Sequence, residues 1–411
     1  MKIRIKKFNI AIFLLILSML LITVEDRLFT LVFPMIFFIY FRNLKELKHS
    51  KSVLMFFSLV IFTILSNIII NYFSASIELI ELTKMSVNAF AVVSLFILFY
   101  CIGRKSLHKS YLINNVLLIF LKIFFINATI NILVWFQQTG GVIARYNFIS
   151  PVTQSVTGYI YLSVIGFFMS IVLLEKKYSK VLFCLVFFIN VIIIINRQQQ
   201  LLFIGYSLLF LSLYGKRMTL TMKTIRLFLI TGVALVCIAG AFPYIEQIIP
   251  SYGDLVSGRG NDLIFRELTQ SSSIMLFKQR PLTGVGYGMF GVMNQARFND
   301  MILASSHSGF YDLIAEFGLV GIIFTLVLYV PLIKKSIKVL IINKSNLDTL
   351  ATIFILGTIA TTYTFHLVIL PPANQKVYYI YSSLIWFLIG YVERRYEILT
   401  GRNVIKEKAI W

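Results

Sequence analysis

Long apolar runs fill most of the chain and are separated by short polar connections. Most of these runs are long enough for a helix to cross the hydrocarbon core of a bilayer, which takes about 20 residues. Twelve runs occur, at approximately residues 9–24, 28–41, 53–73, 85–103, 111–136, 158–174, 181–195, 199–214, 227–244, 315–333, 350–370 and 378–392. The pattern predicts an all-α polytopic membrane protein with about 12 transmembrane helices.

One long polar stretch, residues 245–314, interrupts this pattern. We expect it to form a single large extracytoplasmic loop before helix 10. The predicted organisation is transmembrane helices 1–9 in residues 1–244, the loop, helices 10–12 in residues 315–392, and a cytoplasmic tail in residues 393–411. Because the rest of the chain leaves little room for polar chemistry, the loop is where we expect the catalytic motif.

The composition supports a membrane protein. Hydrophobic residues make up 58% of the chain and charged residues 13%, which is about half the charged share of a soluble domain. The formal net charge of +21 would indicate nucleic-acid binding in a soluble protein. Here the basic residues form short clusters between apolar runs, as in proteins that orient helices in a bilayer. We therefore expect no nucleic-acid partner.

The distribution of basic residues predicts the orientation of the helices. Alternate connections hold 27 of the 38 Lys and Arg residues, in segments 1–8, 42–52, 104–110, 175–180, 215–226, 334–346 and 393–411. By the positive-inside rule both termini are cytoplasmic and the large loop is outside. The N-terminal MKIRIKKF precedes an apolar run without a small-residue cleavage site, so we expect an uncleaved first helix.

A glycine-rich run, PLTGVGYGMFG at residues 281–291, lies within the loop. Gly284, Gly286 and Gly288 resemble a dinucleotide-binding fingerprint, but that motif needs a preceding strand in a βαβ unit. Two interpretations remain. The run can be a kinked turn that returns the loop to the bilayer, or its backbone N–H groups can help to hold an anion.

His307 lies where the loop ends, in the sequence SSHSGFYDLIAEFGLVGIIF. It can be an interfacial histidine that is hydrogen-bonded to the backbone, or a catalytic group. Nine residues separate Ser308 from Gly318, and two more precede Gly321. Glycines three residues apart suit close helix packing, which would hold the helix start and His307 at the outer membrane face.

The pattern His-Ser-x9-Gly-x2-Gly after a large outer loop resembles the signature of the O-antigen ligase and O-antigen polymerase superfamily. The upstream run Arg266–Gly288, an arginine before an amphipathic stretch that ends in Pro-Leu-x-Gly-x-Gly, is similar to the same family. The resemblance is specific over residues 259–321 and rests on topology elsewhere. An aromatic residue is common shortly after the arginine in this family, whereas residues 268–273 are polar here. Arg259 and Arg266 therefore both remain candidates for the active-site arginine that the resemblance implies.

The resemblance implies an enzyme of the bacterial plasma (inner) membrane that transfers a glycan from a polyprenyl-pyrophosphate lipid to a hydroxyl group of an acceptor glycan. His307 would be the base, because imidazole accepts a proton near neutral pH. Arginine binds phosphate oxygens through two parallel hydrogen bonds. We therefore expect further residues outside the His307 motif to contact the substrate. Arg197, which lies at a short junction between two helices, is one of them. The others are Arg145, Arg280, Gly284 and Gly286.

No cofactor is predicted, and the transfer is expected to be independent of metal ions. The acidic residues of the loop form no Asp-x-Asp motif or tight carboxylate pair with the spacing of metal ligands. The three cysteines, Cys101, Cys184 and Cys237, all lie in apolar runs, so a cysteine metal site is not indicated either. The expected partners are a lipid-linked oligosaccharide donor, an acceptor glycan and membrane lipid, with a chain-length regulator as a further candidate.

Three hypotheses for the function remain. The first is a polymerase that joins lipid-linked repeat units into a surface polysaccharide of capsular or O-antigen type. The second is a ligase that moves a finished glycan to a lipid, wall or protein acceptor. The third is a transporter of lipid-linked glycans, which the long outer loop disfavours because transporters usually place their polar groups at the midplane. We prefer the polymerase.

Overall fold

The computed structural model describes much of the predicted membrane region and part of the loop. The described residues are 46–73, 79–107, 110–140, 158–193, 203, 205–208, 210, 268–297, 308–342, 345–361, 370 and 378–401. They form helices α1 (Lys51–Phe73), α2 (Leu79–Ser106), α3 (Ser110–Thr139), α4 (Gly158–Leu173), α5 (Lys177–Ile193), α6 (Phe290–Arg297), α7 (Gly309–Ile342), α8 (Asn346–Thr361) and α9 (Tyr378–Leu399). A further helical segment covers residues 268–279. Since these residues include no strand, the predicted all-α class is confirmed for this part of the chain.

Within the described part of the chain, four helices are long and apolar enough to cross a membrane by length and composition. They are Lys51–Phe73, Ser86–Ser106, Leu112–Gln138 and Gly309–Ile342, and shorter apolar helices cover Leu162–Leu173 and Asn346–Ala360. Each of them overlaps a predicted span, although Gly309–Ile342 extends beyond 315–333 at both ends and Asn346–Ala360 covers only the first half of 350–370. The predicted spans at 9–24, 28–41 and 227–244 lie outside the described residues, so the count of about 12 stays a prediction. Helix α7 begins at Gly309, inside the segment that was predicted to be loop.

Among the described helices, α2 and α9 have the most extensive contact with each other. A Cβ atom added at Gly103 would collide with the backbone carbonyl of Phe387, and one added at Gly390 would collide with the carbonyl of Tyr100. Glycine at both positions therefore lets the two backbones approach each other, as small residues do in membrane helix pairs. Beside this crossing, the fully buried Trp386 stacks near Phe57, with ring centroids 4.7 Å apart.

A buried network of charges joins α2, α7 and α9 at one end of the bundle. The completely buried Arg104 donates to both carboxylate oxygens of Glu397, at 2.8 and 3.0 Å from Nη2. Glu393 accepts a hydrogen bond from the Tyr100 hydroxyl (2.5 Å) and forms an ion pair with Lys335. A buried charge without such partners would cost several kcal/mol, so these residues hold the three helix ends together.

The glycine-rich run packs against the opposite end of the bundle, next to Asn67 and Asn71 of α1. The segments that carry Arg104, Lys335 and Glu393 thus share one end, and residues 281–290 lie at the other. This grouping of segments agrees with the alternation of membrane sides that was predicted from the basic residues. Which end faces the cytoplasm stays a prediction.

Candidate functional site

The structure describes three of the eight predicted site residues, Arg280, Gly284 and Gly286. The other five lie outside the described residues, and they are His307, Arg266, Arg259, Arg197 and Arg145. The described part of the site therefore consists of residues 268–290, the start of α7 and the end of α1 that they contact.

Helix α7 is interrupted at Gly318, where the backbone has φ 61° and ψ −149°. The break lets the Leu319 and Val320 N–H groups donate to the carbonyls of Pro281 (2.8 Å, N to O) and Leu282 (3.1 Å). A Cβ atom at position 318 would lie 2.6 Å from both carbonyl oxygens. Glycine is therefore required here twice, by the positive φ and by the close approach of the turn.

The two motif glycines have different surroundings. An added Cβ at Gly318 would meet the loop turn, whereas the atoms nearest to one at Gly321 belong to Phe317 and Leu313 of the same helix. Gly318 therefore packs against the turn, and close packing of the pair against a second helix stays a prediction. The kink frees N–H groups of α7, and carbonyls of the turn accept their hydrogen bonds.

The glycine-rich run is a kinked turn that docks onto α7. The Val285 N–H donates to the Ala315 carbonyl (2.9 Å), and the Gly286 N–H donates to the Glu316 carbonyl (3.0 Å). At Gly284 φ is 65°, and a Cβ atom there would lie 2.5 Å from the Glu316 carbonyl oxygen. The first interpretation of this run, a kinked turn, agrees with these contacts, and the return of the loop to the bilayer stays a prediction.

The carboxyl group of Glu316 occupies the inside of this turn. It accepts hydrogen bonds from the backbone N–H groups of Gly288 and Phe290, and the side chain is only 3% exposed. These backbone N–H groups of the turn are therefore engaged by a side chain of the protein itself. The N–H groups of Gly284 and Gly286 donate to the carbonyls of Arg280 and Glu316, respectively. A role of these two glycines in substrate binding stays a prediction.

Two asparagines of α1 fasten the turn from the other side. Asn67 Nδ2 donates to the carbonyls of Thr283 (3.1 Å) and Thr63 (2.9 Å), and Asn71 Nδ2 donates to the carbonyl of Val285 (3.1 Å). Both side chains are buried. Neither asparagine was among the predicted site residues. The available signal was their spacing, since two asparagines four residues apart in an apolar helix share one face and are costly in a membrane without partners.

Arg280 lies immediately after the helical segment 268–279 and beside Asn71. Its Nη1 donates to Asn71 Oδ1 at 2.5 Å. Among the described residues no carboxylate pairs with Arg280. Burial lowers the pKa of its guanidinium group, but arginine starts from so high a pKa that it stays charged. The site thus presents a cation that is aimed by a neutral amide, an arrangement suited to an anionic group.

The helical segment 268–279 buries three hydroxyl side chains. Thr269, Ser272 and Ser273 are buried together with Leu276, whereas Ile274 and Met275 are 38% and 41% exposed. Ser271, Lys278 and Gln279 are exposed as well, so the outward side of the segment carries both apolar and polar residues.

The first turns of α7 bury two acidic side chains directly after the position of His307. Asp312 and Glu316 are each 3% exposed, and the Asp312 N–H donates to the Ser308 carbonyl (3.0 Å). From the sequence, Asp312 was considered only among the acidic loop residues that lack the spacing of metal ligands, and Glu316 was not among the predicted site residues. The available signal was two acids four residues apart in an otherwise apolar run.

A comparison with protein families supports the resemblance on which the site was predicted. The sequence model of the family described as O-antigen ligase matches residues 182–326. That range includes Arg197, Arg280, the glycine-rich turn and the His307 motif, and it confirms the resemblance. No curated protein matches the chain.

The apolar helices and this match together define an integral membrane protein. Members of the matched family are glycosyltransferase-like enzymes that act on lipid-linked glycans. The match therefore indicates glycan transfer of the O-antigen ligase or polymerase type.

Replacing Gly318 with alanine is expected to loosen the turn and lower the thermal stability of the protein. We expect a loss of about 1–3 kcal/mol from the steric conflict, in addition to about 1 kcal/mol for an alanine at positive φ. Gly140→Ala is the matched control, since Gly140 has φ 62° and nothing lies within 4 Å of an added Cβ. Thermal unfolding of both purified variants gives the comparison. Equal midpoints for the two would contradict the close contact at Gly318.

Proposed function

We propose that this chain is a polymerase that joins polyprenyl-pyrophosphate-linked oligosaccharide repeat units into a surface polysaccharide of capsular or O-antigen type. The reaction takes place at the outer face of the bacterial plasma membrane and needs no metal ion. The family match over residues 182–326 supports glycan transfer. The observation that carries the donor chemistry is Arg280, a cation held at the end of the bundle by Asn71 and paired with no described carboxylate.

The reaction needs one nucleophile, one base and one stabilised leaving group. The acceptor hydroxyl oxygen forms a bond to C1 of the donor sugar, and the bond from C1 to the pyrophosphate oxygen breaks. The hydroxyl proton passes to the imidazole of His307, and the polyprenyl pyrophosphate leaves with the bonding electron pair. A positioned base contributes roughly 10²–10⁴-fold to the rate. Cations beside the leaving pyrophosphate supply further stabilisation.

Arg280 and its surroundings fit the two parts of such a donor. A polyprenyl pyrophosphate places two phosphates next to a long apolar chain. Arg280 follows a helical segment that exposes the apolar side chains of Ile274 and Met275, and Leu282, two positions further, is 65% exposed. The charge of Arg280 suits the pyrophosphate, and the apolar side chains suit the lipid tail. Arg197 and either Arg259 or Arg266 complete the proposed cation cradle.

A ligase is the second candidate, and the description of the matched family as O-antigen ligase favours it. Ligase and polymerase share the donor, the leaving group and the base. They differ in the acceptor, which is a second repeat unit for the polymerase and a lipid, wall or protein glycan for the ligase.

The purified protein in lipid nanodiscs, given only a lipid-pyrophosphate oligosaccharide, is expected to release polyprenyl pyrophosphate and to form products that differ by one repeat unit. Electrophoresis of the glycans shows this ladder, and a chelator should leave the rate unchanged. A ligase would release polyprenyl pyrophosphate only after a separate acceptor is added, with one transfer per acceptor. No release with any acceptor would contradict glycan transfer itself.

A further inference from the structure

We propose that Asn71 is a positioning residue that aims Arg280 at the donor pyrophosphate and couples it to the glycine-rich turn. The inference rests on the proposed function, because it takes the pyrophosphate as the ligand of Arg280. Asn71 is completely buried in α1, 209 positions away from Arg280 in the chain. It therefore acts through another residue and not on the substrate.

Both ends of the Asn71 amide are engaged, which sets its orientation. Oδ1 accepts the hydrogen bond from Arg280 Nη1 (2.5 Å), and Nδ2 donates to the Val285 carbonyl (3.1 Å). Rotating the amide by half a turn would place its NH2 group against the guanidinium and its oxygen against a carbonyl. Since both of those contacts are repulsive, the amide has one favourable orientation, and it holds one edge of the guanidinium in a defined direction.

The same amide connects Arg280 to the break in α7. The Val285 carbonyl accepts from Asn71, while the Val285 N–H donates to the Ala315 carbonyl (2.9 Å). Ala315 lies three residues before the kink at Gly318. A displacement of Asn71 would thus move Arg280 and the turn together, relative to the helix whose start follows His307.

The neutrality of Asn71 matters for the binding of an anion. A carboxylate at this place would also hold Arg280, but it would cancel the positive charge that a pyrophosphate needs. An amide fixes the direction of the guanidinium and leaves the charge available. One edge of the fork is engaged by Asn71, and arginine has five N–H donors in all.

Asn67 provides the internal comparison. It bonds to the Thr283 carbonyl of the same turn and to Thr63 of its own helix, and no hydrogen bond joins it to Arg280. If Asn71 only supported the turn, Asn71→Ala and Asn67→Ala would have similar consequences. If Asn71 aims Arg280, the two variants will differ in their affinity for the donor pyrophosphate and will have similar thermal stability.

The test uses the full-length protein in nanodiscs and two probes, a sugar-free polyprenyl pyrophosphate for equilibrium binding and the lipid-linked oligosaccharide for transfer. Both asparagine variants are expected to lower the midpoint of thermal unfolding by similar amounts. Asn71→Ala should weaken binding of the pyrophosphate about 10-fold, which is the scale of one hydrogen bond to a charged group. Asn67→Ala should weaken it by less than about 3-fold.

Asn71→Asp and a double-mutant cycle complete the test. Asn71→Asp should also weaken binding, because the carboxylate pairs with Arg280. The variant that combines Asn71→Ala with Arg280→Ala should bind no more weakly than Arg280→Ala alone, since the two residues act as one unit. Undiminished binding by Asn71→Ala, additive losses in the double variant, or no binding by the parent protein would each overturn the inference.

The two probes separate this inference from the proposed function. Pyrophosphate binding that depends on Asn71, without any transfer of glycan, would uphold the inference and overturn the polymerase. Transfer that proceeds with a donor KM unaffected by Asn71→Ala would overturn the inference and leave the polymerase in place.

Discussion

His307→Ala is expected to abolish polymer formation while the protein remains in the membrane and the lipid-linked donor accumulates. Without the imidazole, no group takes the proton from the acceptor hydroxyl, and the rate should fall by at least about 10²-fold. Donor accumulation is measured by extracting the lipids of cells that express the variant. Polymer is measured by electrophoresis of the surface glycan.

His49→Ala is the matched control for this experiment. His49 lies next to Ser50, which precedes α1 at the end of the bundle that holds Arg104, opposite the glycine-rich turn. The control variant should form polymer at the parental level. Normal polymer from His307→Ala at normal expression would rule out the base role.

The second large effect is expected from replacing cradle arginines with lysine. Lysine keeps the positive charge but has no planar fork, so it cannot bind a phosphate through two parallel hydrogen bonds. At position 280 it also cannot bond to Asn71 and to a phosphate at the same time in the geometry that a guanidinium allows. Arg280→Lys and Arg197→Lys should each lower turnover by at least about 10-fold, as should one of Arg259→Lys and Arg266→Lys. The measurement is the initial rate of polyprenyl-pyrophosphate release by purified protein, with a chelator present.

Arg297→Lys makes the same chemical change at a position outside any motif, and it should retain the parental rate. Full activity in all four cradle variants would mean that arginine geometry does not stabilise the leaving group. The cation-cradle mechanism would then be wrong, although the family match would stand.

The positions of the helices could be read from the sequence because they depend on local properties. The spans predicted at 53–73, 85–103 and 111–136 correspond to Lys51–Phe73, Ser86–Ser106 and Leu112–Gln138. A bilayer requires an uninterrupted apolar segment with all its backbone groups bonded internally, and that requirement is visible in the chain itself. The start of α7 could not be predicted to the residue, because polar residues such as Asp312 make its first turn resemble a loop.

The candidate site could be predicted in part, for a similar reason. The motif with His307, Gly318 and Gly321 has a fixed spacing, and the family match over residues 182–326 confirms the resemblance that it carried. The partner of Gly318 could not be predicted, since it depends on a turn that returns from another part of the chain. Glu316 could not be assigned to the inside of that turn for the same reason.

The sequence by itself determined the class of protein, the apolar segments that become helices, and the family to which its central motif is similar. Tertiary structure alone decided that Asn67 and Asn71 fasten the turn and that Asn71 directs Arg280. These hydrogen bonds join residues 209 to 216 positions apart. Apolarity and spacing act within one helix, whereas a buried amide finds its partner only when folding brings two distant segments into contact.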